Sequence, residues 1–222
     1  MKRKKRSKLT VGKNVVIHKN VVFGDDVVIN DNAVIGRQPS LVSSPWTKVK
    51  EAVEPLVIGD RVVIGTGAII YAGCCLGNDV FVADLVAMRE NVHVGDGAII
   101  GRGVTVEHGA TIGEGTVVST GAHVGTECVL RDRVVVGPNA CVISANREDW
   151  AKENRDTFAP TQAHPPVLEE GVFVGTNATI IGGVTIGERA AIGAGAVVIK
   201  DIPADEMWGG VPARCLKGGA QK

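Results

Sequence analysis

Aromatic side chains are scarce in this chain: three Trp, one Tyr and four Phe stand against twenty-nine Gly in 222 residues. Rings fill broad cores, so their scarcity points to a narrow core without room for them. Long apolar runs are missing too. None of seven or more residues follows the basic start MKRKKRSK, which argues against a secretory signal, and no run is long enough to span a bilayer. The expected location is the cytoplasm. Net charge is also missing: twenty-four Lys and Arg balance twenty-four Asp and Glu, and six of the basic groups lie in the first eight residues, which leaves the body mildly acidic. Such a body does not suit nucleic-acid binding. The basic start itself reads as a disordered, solvated tail over residues 1–10. No C-x-x-C spacing occurs among the five cysteines, which removes a disulfide frame and a zinc ribbon and leaves reduced thiols.

What the chain has in abundance is a period. From Ile58 to Ala140 it consists of fourteen six-residue units without insertion or deletion. First positions are aliphatic or Met, from Ile58, Ile64 and Ile70 to Val136, and fifth positions, from Val62 and Ala68 to Ala140, are never larger than Val. A helix needs a period near 3.6 and a long half-buried strand a period of 2; a strict six fits neither. It fits short strands joined by tight corners, in which the fifth residue and the next first residue point inward while the third and fourth turn the chain. Each turn of such a parallel β-helix buries its apolar face only by stacking on its neighbours. Three units per turn make a triangular prism with an eighteen-residue coil, all-β in class.

Five further units run from Val11 and six from Leu168, giving twenty-six units and nearly nine coils. The period breaks at 37–55 and at 144–166, where the segment REDWAKENRDTF reads as a short helix packing Trp150 and Phe158. The predicted organisation is a tail over 1–10, a β-helix over 11–203 carrying these two loops, and a cap over 204–222, the chain leaving the prism after Pro203. Counting faces from Ile58 as the first, both breaks fall between a third-face and a first-face strand. Both loops are therefore expected at one edge, where Ala72, Glu90, His108, Thr126 and Ser144 recur every eighteen residues and stack coil above coil. Long insertions in a compact repeat are more often functional than accidental.

This pattern resembles the hexapeptide-repeat, left-handed β-helix acyltransferases, and the handedness is taken from that resemblance. Val106-Glu107-His108-Gly109-Ala110-Thr111-Ile112-Gly113 is similar to the segment of sialic-acid and bacillosamine-type sugar N-acetyltransferases that holds their catalytic histidine. The resemblance implies that His108 removes the proton from an attacking sugar amine, a task for which a pKa near 6.5 is suited. The relatives usually follow that residue with an orienting Asp or Glu. Here Gly109 stands there, so the carboxylate is Glu90 or Glu127. His123 is a reserve candidate, and His93 reads as a surface imidazole. Met88-Arg89-Glu90-Asn91 resembles the Arg-Glu-Asn of acyltransferases acting on nucleotide-linked amino sugars, which implies that Asn91 and Glu127 meet the sugar. Relatives often open the second loop with Thr-Asn-Asp; this chain has Ser144-Ala145-Asn146-Arg147, with Asn146 and Arg147 as its substrate candidates. Gly175, Thr176, Ala194, Gly195, Lys200 and Arg214 look like the groove for coenzyme A or acetyl-CoA.

The resemblance thus implies an acetyl-CoA-dependent N-acyltransferase of a nucleotide-linked amino sugar, a homotrimer needing no metal, with outward Ile69, Ile99, Val117 and Val135 available for assembly. O-acyl transfer to a sugar or small metabolite is one alternative. Another is a γ-carbonic-anhydrase-like zinc protein, although its His-x4-His spacing is missing. The last is a non-catalytic β-helix scaffold.

Overall fold

A computed structural model describes residues 8–39, 53–144 and 164–217 of the chain. Asn146, Arg147 and the expected helix around Trp150 and Phe158 lie outside the described residues, as does most of the basic tail. The described residues form only strands and turns. Five strands precede the first loop, fifteen lie between the loops and eight follow the second; without the last two, Met207–Gly209 and Arg214–Lys217, the strands agree with the repeat count. Each pairs in parallel with the strand one coil away, as Phe81 with Ile99 and Met88 with Val106. The three faces are sheets of eight, eleven and nine strands, first, second and third in turn, parallel throughout except for the final strand of the second. This architecture fits the left-handed β-helix.

The alternation of first and fifth positions explains the core. From Ile58 to Ala140 every one of these side chains is buried, from Ile58 at 1 % and Val62 at 0 % exposure to Val136 and Ala140 at 0 %. Burying a Val or Ile contributes roughly 1.5–3 kcal/mol, so each unit supplies one such contribution from its first position and a smaller or equal one from its fifth, and both exist only while the next coil is in place. The turns are equally regular. All fourteen fourth positions from Arg61 to Asn139 take a left-handed φ between 55 and 77°. Gly, Asn and Asp tolerate that conformation; Leu85 at φ 59° does not do so readily, and it is 62 % exposed.

Beyond Val198 the structure departs from the expected ending, for the chain does not leave the prism at Pro203. Ile202 bridges to Ile186 on the first face, Trp208 pairs with Ile192 on the second, and Val197 and Ala213 are joined through backbone on the third. All three are buried, Trp208 at 7 %. One further, shortened turn is thus wound, its register hidden by the four-residue step from Val198 to Ile202. An indole fits there because no coil beyond requires the narrow core to continue. The strand Met207–Gly209 then forms an antiparallel hairpin with Arg214–Lys217.

Candidate active site at the edge between the third and first faces

Both loops leave the prism at one edge. The first departs after the third-face strand Val34–Arg37 and returns at the first-face strand Leu56–Ile58; the second departs after Cys141–Val142 and returns at Val167–Leu168. The neck of the second loop is closed by backbone bonds from the His164 N–H to the Ser144 carbonyl, 3.1 Å, and from the Gly183 N–H to the His164 carbonyl, 2.8 Å. Glu90, His108 and Thr126 turn this edge on successive coils, as the eighteen-residue spacing predicts, tied by bonds from Gly109 N–H to the Glu90 carbonyl and from Glu127 N–H to the His108 carbonyl.

This edge differs from the other two at the second position of its units. Elsewhere that residue is mostly Gly. At Gly65 an added Cβ would lie 2.4 Å from the backbone of the coil above, and at Gly113 2.5 Å, so only glycine lets those corners close. On the loop-bearing edge the same position is glycine at Gly36 and Gly125 but holds Tyr71, Arg89, Glu107, Ile143, Ile181 and Ile199 on the other coils from Ile70 onward. Tyr71 and Arg89 meet there, the Arg89 guanidinium lying 5.4 Å from the centre of the Tyr71 ring.

Arg89 also holds Glu90. Its carboxylate, only 4 % exposed, receives two bonds from Arg89, Nε to Oε2 at 2.9 Å and the NH2 nitrogen to Oε1 at 2.9 Å. Burial alone would push the Glu90 carboxyl up, but the Arg89 hydrogen bonds and charge outweigh it and hold the group below the ordinary carboxylate range. Glu90 is therefore an anion at neutral pH. His108 Nδ1 lies 3.6 Å from Glu90 Oε1, and this nitrogen is buried without a hydrogen-bond partner, although the side chain is 42 % exposed. A separation somewhat beyond bonding range is common before a ligand tightens a site. With Nδ1 turned inward to a carboxylate, Nε2 is the nitrogen left for a substrate proton. From beneath, the buried Cys74 thiol donates to the Arg89 carbonyl at 2.9 Å, and burial pushes that thiol up to about 12, so it stays protonated and keeps donating.

Of the two carboxylates open as partners of His108, the structure brings up Glu90. Glu127 occupies a fourth position at φ 56° and is exposed, its Cγ lying 3.2 Å from where a Gly109 Cβ would be. Asn91 rests on the coil below, its Oδ1 2.1 Å from the place of a Gly73 Cβ, so it packs the corner. His123 lies on the flat third face and its Nδ1 is 2.7 Å from Thr105 Oγ1. His93 is on the first face between Cys75 and Thr111. The three histidines thus occupy different places on the prism.

The residues expected to hold coenzyme A divide. Gly175, Thr176, Ala194 and Gly195 stack on the edge between the second and third faces, the Gly195 N–H donating to the Thr176 carbonyl at 2.8 Å, and a Cβ on Gly175 would lie 2.5 Å from Ala194 N. Arg214 pairs with Gly209 at the end of the same stack. Lys200 stands apart on the loop-bearing edge, its ammonium 4.9 Å from the centre of the Trp208 ring. Sequence reasoning passed over Arg89, Tyr71 and Arg37 as site residues. The substitution of large residues for glycine at second positions of third-face units was the signal that marks Tyr71 and Arg89.

Comparison with known proteins agrees with this frame. Residues 9–38 and 165–200 match the bacterial transferase hexapeptide (six repeats), and residues 55–83 the hexapeptide repeat of succinyl-transferase. A UDP-N-acetylglucosamine acyltransferase from Bacteroides fragilis superposes with a TM-score of 0.69 at 16 % identity over 90 % of this chain and 71 % of that one. A hexapeptide-repeat acetyltransferase from Vibrio cholerae, solved with acetyl coenzyme A, has a TM-score of 0.52 at 29 % identity over 58 % of this chain and 72 % of that one. The 2,3,4,5-tetrahydropyridine-2,6-dicarboxylate N-acetyltransferase of Enterococcus faecalis is 47 % identical over 58 residues, 26 % of this chain and 25 % of the relative. The match therefore spans about a quarter of the length of that relative. Repeat and fold together define a hexapeptide-repeat, left-handed β-helix protein, built on the frame that those acyltransferases share.

Proposed function

We propose that the protein is an acetyl-CoA-dependent N-acyltransferase acting on a nucleotide-linked amino sugar, with His108 as general base and Glu90 as its orienting partner. The observation that carries this reading is the buried His108 Nδ1 facing Glu90, itself fixed by Arg89, on the edge from which both loops depart. In the reaction the amine nitrogen attacks the thioester carbonyl and forms the C–N bond. Nε2 of His108 takes the proton of the nitrogen, the C–S bond breaks, and the coenzyme A sulfur leaves as thiolate and is protonated. A thioester is already activated, so positioning and a base suffice in kind. The acetyl coenzyme A complex of the Vibrio cholerae structure supports the donor, and the likeness to a UDP-N-acetylglucosamine acyltransferase is compatible with a sugar nucleotide acceptor.

Within one copy the proposed coenzyme A stack and His108 lie on different edges, flanking the third face. The reaction therefore needs a second copy, whose stack faces the first copy's His108. The second face supports this reading, for its outward residues form an apolar stripe through Val63, Phe81, Ile99, Val117, Val135 and Phe173, with Phe81 45 % and Phe173 50 % exposed. A cyclic trimer closes such a heterologous contact.

The test mixes two inactive variants, His108→Ala and Gly175→Trp. Sites shared between copies regain activity in the mixture, measured as thiol released from acetyl-CoA with a panel of nucleotide-linked amino sugars. Failure of the wild type to bind acetyl-CoA sinks the whole reading; failure of the mixture to recover activity sinks the shared site.

A further inference from the structure

Two guanidiniums share one ring at the foot of the same edge. Arg37 lies 5.6 Å and Arg89 5.4 Å from the centre of the Tyr71 ring. Their electrostatic situations differ. Arg89 is held in a fork by Glu90, with Glu107 adding to the negative field around it, and its charge is spent within the protein. Arg37 is exposed, and among the described residues no carboxylate pairs with it. Its backbone is nevertheless fixed, because the Ala72 N–H donates to the Arg37 carbonyl at 2.9 Å and Arg37 is in register with Tyr71. An arginine laid on an aromatic ring keeps its N–H fork open and loses little freedom when an anion arrives. That fork matches the oxygens of phosphate.

We propose that Arg37, held on Tyr71, binds a phosphate of the acceptor. Only the identity of the acceptor rests on the transferase reading above. Arg37, Tyr71, Arg89 and His108 follow one another on successive coils of a single edge. Three strand spacings of about 4.8 Å place the backbones of Arg37 and His108 about 14 Å apart. A ligand whose nitrogen meets His108 reaches Arg37 only when its negative charge lies on the order of 10 Å from that nitrogen, a span built from such spacings. A small amino dicarboxylate carries its charges a few bonds from the nitrogen and falls short. A sugar linked through a diphosphate to a nucleoside has the reach. Coenzyme A is a second source of phosphate, and binding measurements separate the two.

Isothermal titration of the full chain with UDP, inorganic pyrophosphate and coenzyme A provides the test. UDP and pyrophosphate are expected to bind the wild type and to lose about tenfold or more in affinity in Arg37→Gln, as befits a lost charged hydrogen bond, with coenzyme A unchanged. Tyr71→Leu, which removes the platform and keeps the charge, gives a smaller loss for the same two ligands. Arg61→Gln, whose guanidinium pairs with Asp79 on another edge, leaves all three unchanged. The proposal is overturned if UDP and pyrophosphate fail to bind the wild type, if they bind Arg37→Gln equally well, or if only coenzyme A weakens. Because no turnover is measured, inactivity toward amino sugars would defeat the transferase reading and leave the assignment of Arg37 intact.

Discussion

The edge between the first and second faces is built from the same six-residue units as the loop-bearing edge, yet its carboxylates serve a different end. There Asp60 accepts the Asp25 N–H at 2.7 Å, Asp96 the Asn78 N–H at 2.8 Å and Asp132 the Glu114 N–H at 2.8 Å, each from a neighbouring coil. Arg61 forks onto Asp79, and Arg133 pairs with Glu170. Acid and base alike are consumed in joining coils. On the loop-bearing edge Glu90 instead meets two side chains, Arg89 and His108, and the imidazole remains half exposed. The cause is local. Where the second position of one coil is Gly24, Gly77 or Gly113, the third-position Asp of the adjoining coil fits over it and reaches the N–H of the next residue; where it is Tyr71, Arg89 or Glu107, that place is filled by a side chain. A repeat thus separates structural from chemical corners by one residue per unit.

The largest effect expected from this contrast is on turnover. His108→Ala should lower kcat by about 10²–10⁴ with coenzyme A binding little changed, as removal of a positioned base does. Asp132→Ala on the other edge should leave kcat unchanged and cost about 0.5–1.5 kcal/mol of stability, read as a lower melting temperature. Equal activities of the two variants would erase the distinction between the edges. His123→Ala, removing a ring bonded to Thr105 away from the column, should be nearly silent.

Glu90→Gln sharpens the comparison at the next level. A neutral amide cannot stabilise the imidazolium, and a loss of about tenfold or more in kcat is expected, as for a lost charge-assisted hydrogen bond. Stability has a pH signature as well. The Glu90 carboxyl is held below the ordinary carboxylate range, so its contribution is present above about pH 4 and disappears as pH falls through the depressed value. Thermal melts of the wild type should drop through that acid window, and those of Glu90→Gln should drop less. Identical acid profiles would mean that Glu90 is not bound as an anion.

The smallest effect concerns Leu85, at a corner of the edge between the second and third faces. Asn accepts a left-handed φ where Leu is strained, so Leu85→Asn should raise stability by about 0.5–1 kcal/mol in a free prism. A fall in stability or in oligomer mass would instead place Leu85 between copies.

The site was legible in parts for identifiable reasons. His108 and Glu90 share third positions eighteen residues apart, so the coil period alone stacked them. The choice between Glu90 and Glu127 was not legible, because both lie one coil from His108 in sequence. Glu127 is a fourth-position residue with left-handed backbone, which turns its side chain from the column, whereas Glu90 points along it and is clamped by Arg89. The Tyr71 ring with its two guanidiniums was hidden for a similar reason: Arg37 stands at the end of a strand, where the period was already failing. The last turn, with Trp208 inward, was hidden by the four-residue step after Val198.

By itself the sequence determined the prism, its three-unit coil, the number of repeat strands up to Val198 and the edge from which the loops leave. It could do so because each coil contacts only its neighbours, so the energetics repeat with the residues and a linear count becomes a spatial one. Tertiary structure alone decided which side chains on that edge meet. Those contacts depend on the direction of side chains outside the stack, where no period constrains them: Arg89 turned onto Glu90, Cys74 held beneath the Arg89 carbonyl, and His108 Nδ1 buried toward a carboxylate while the rest of the ring faces out.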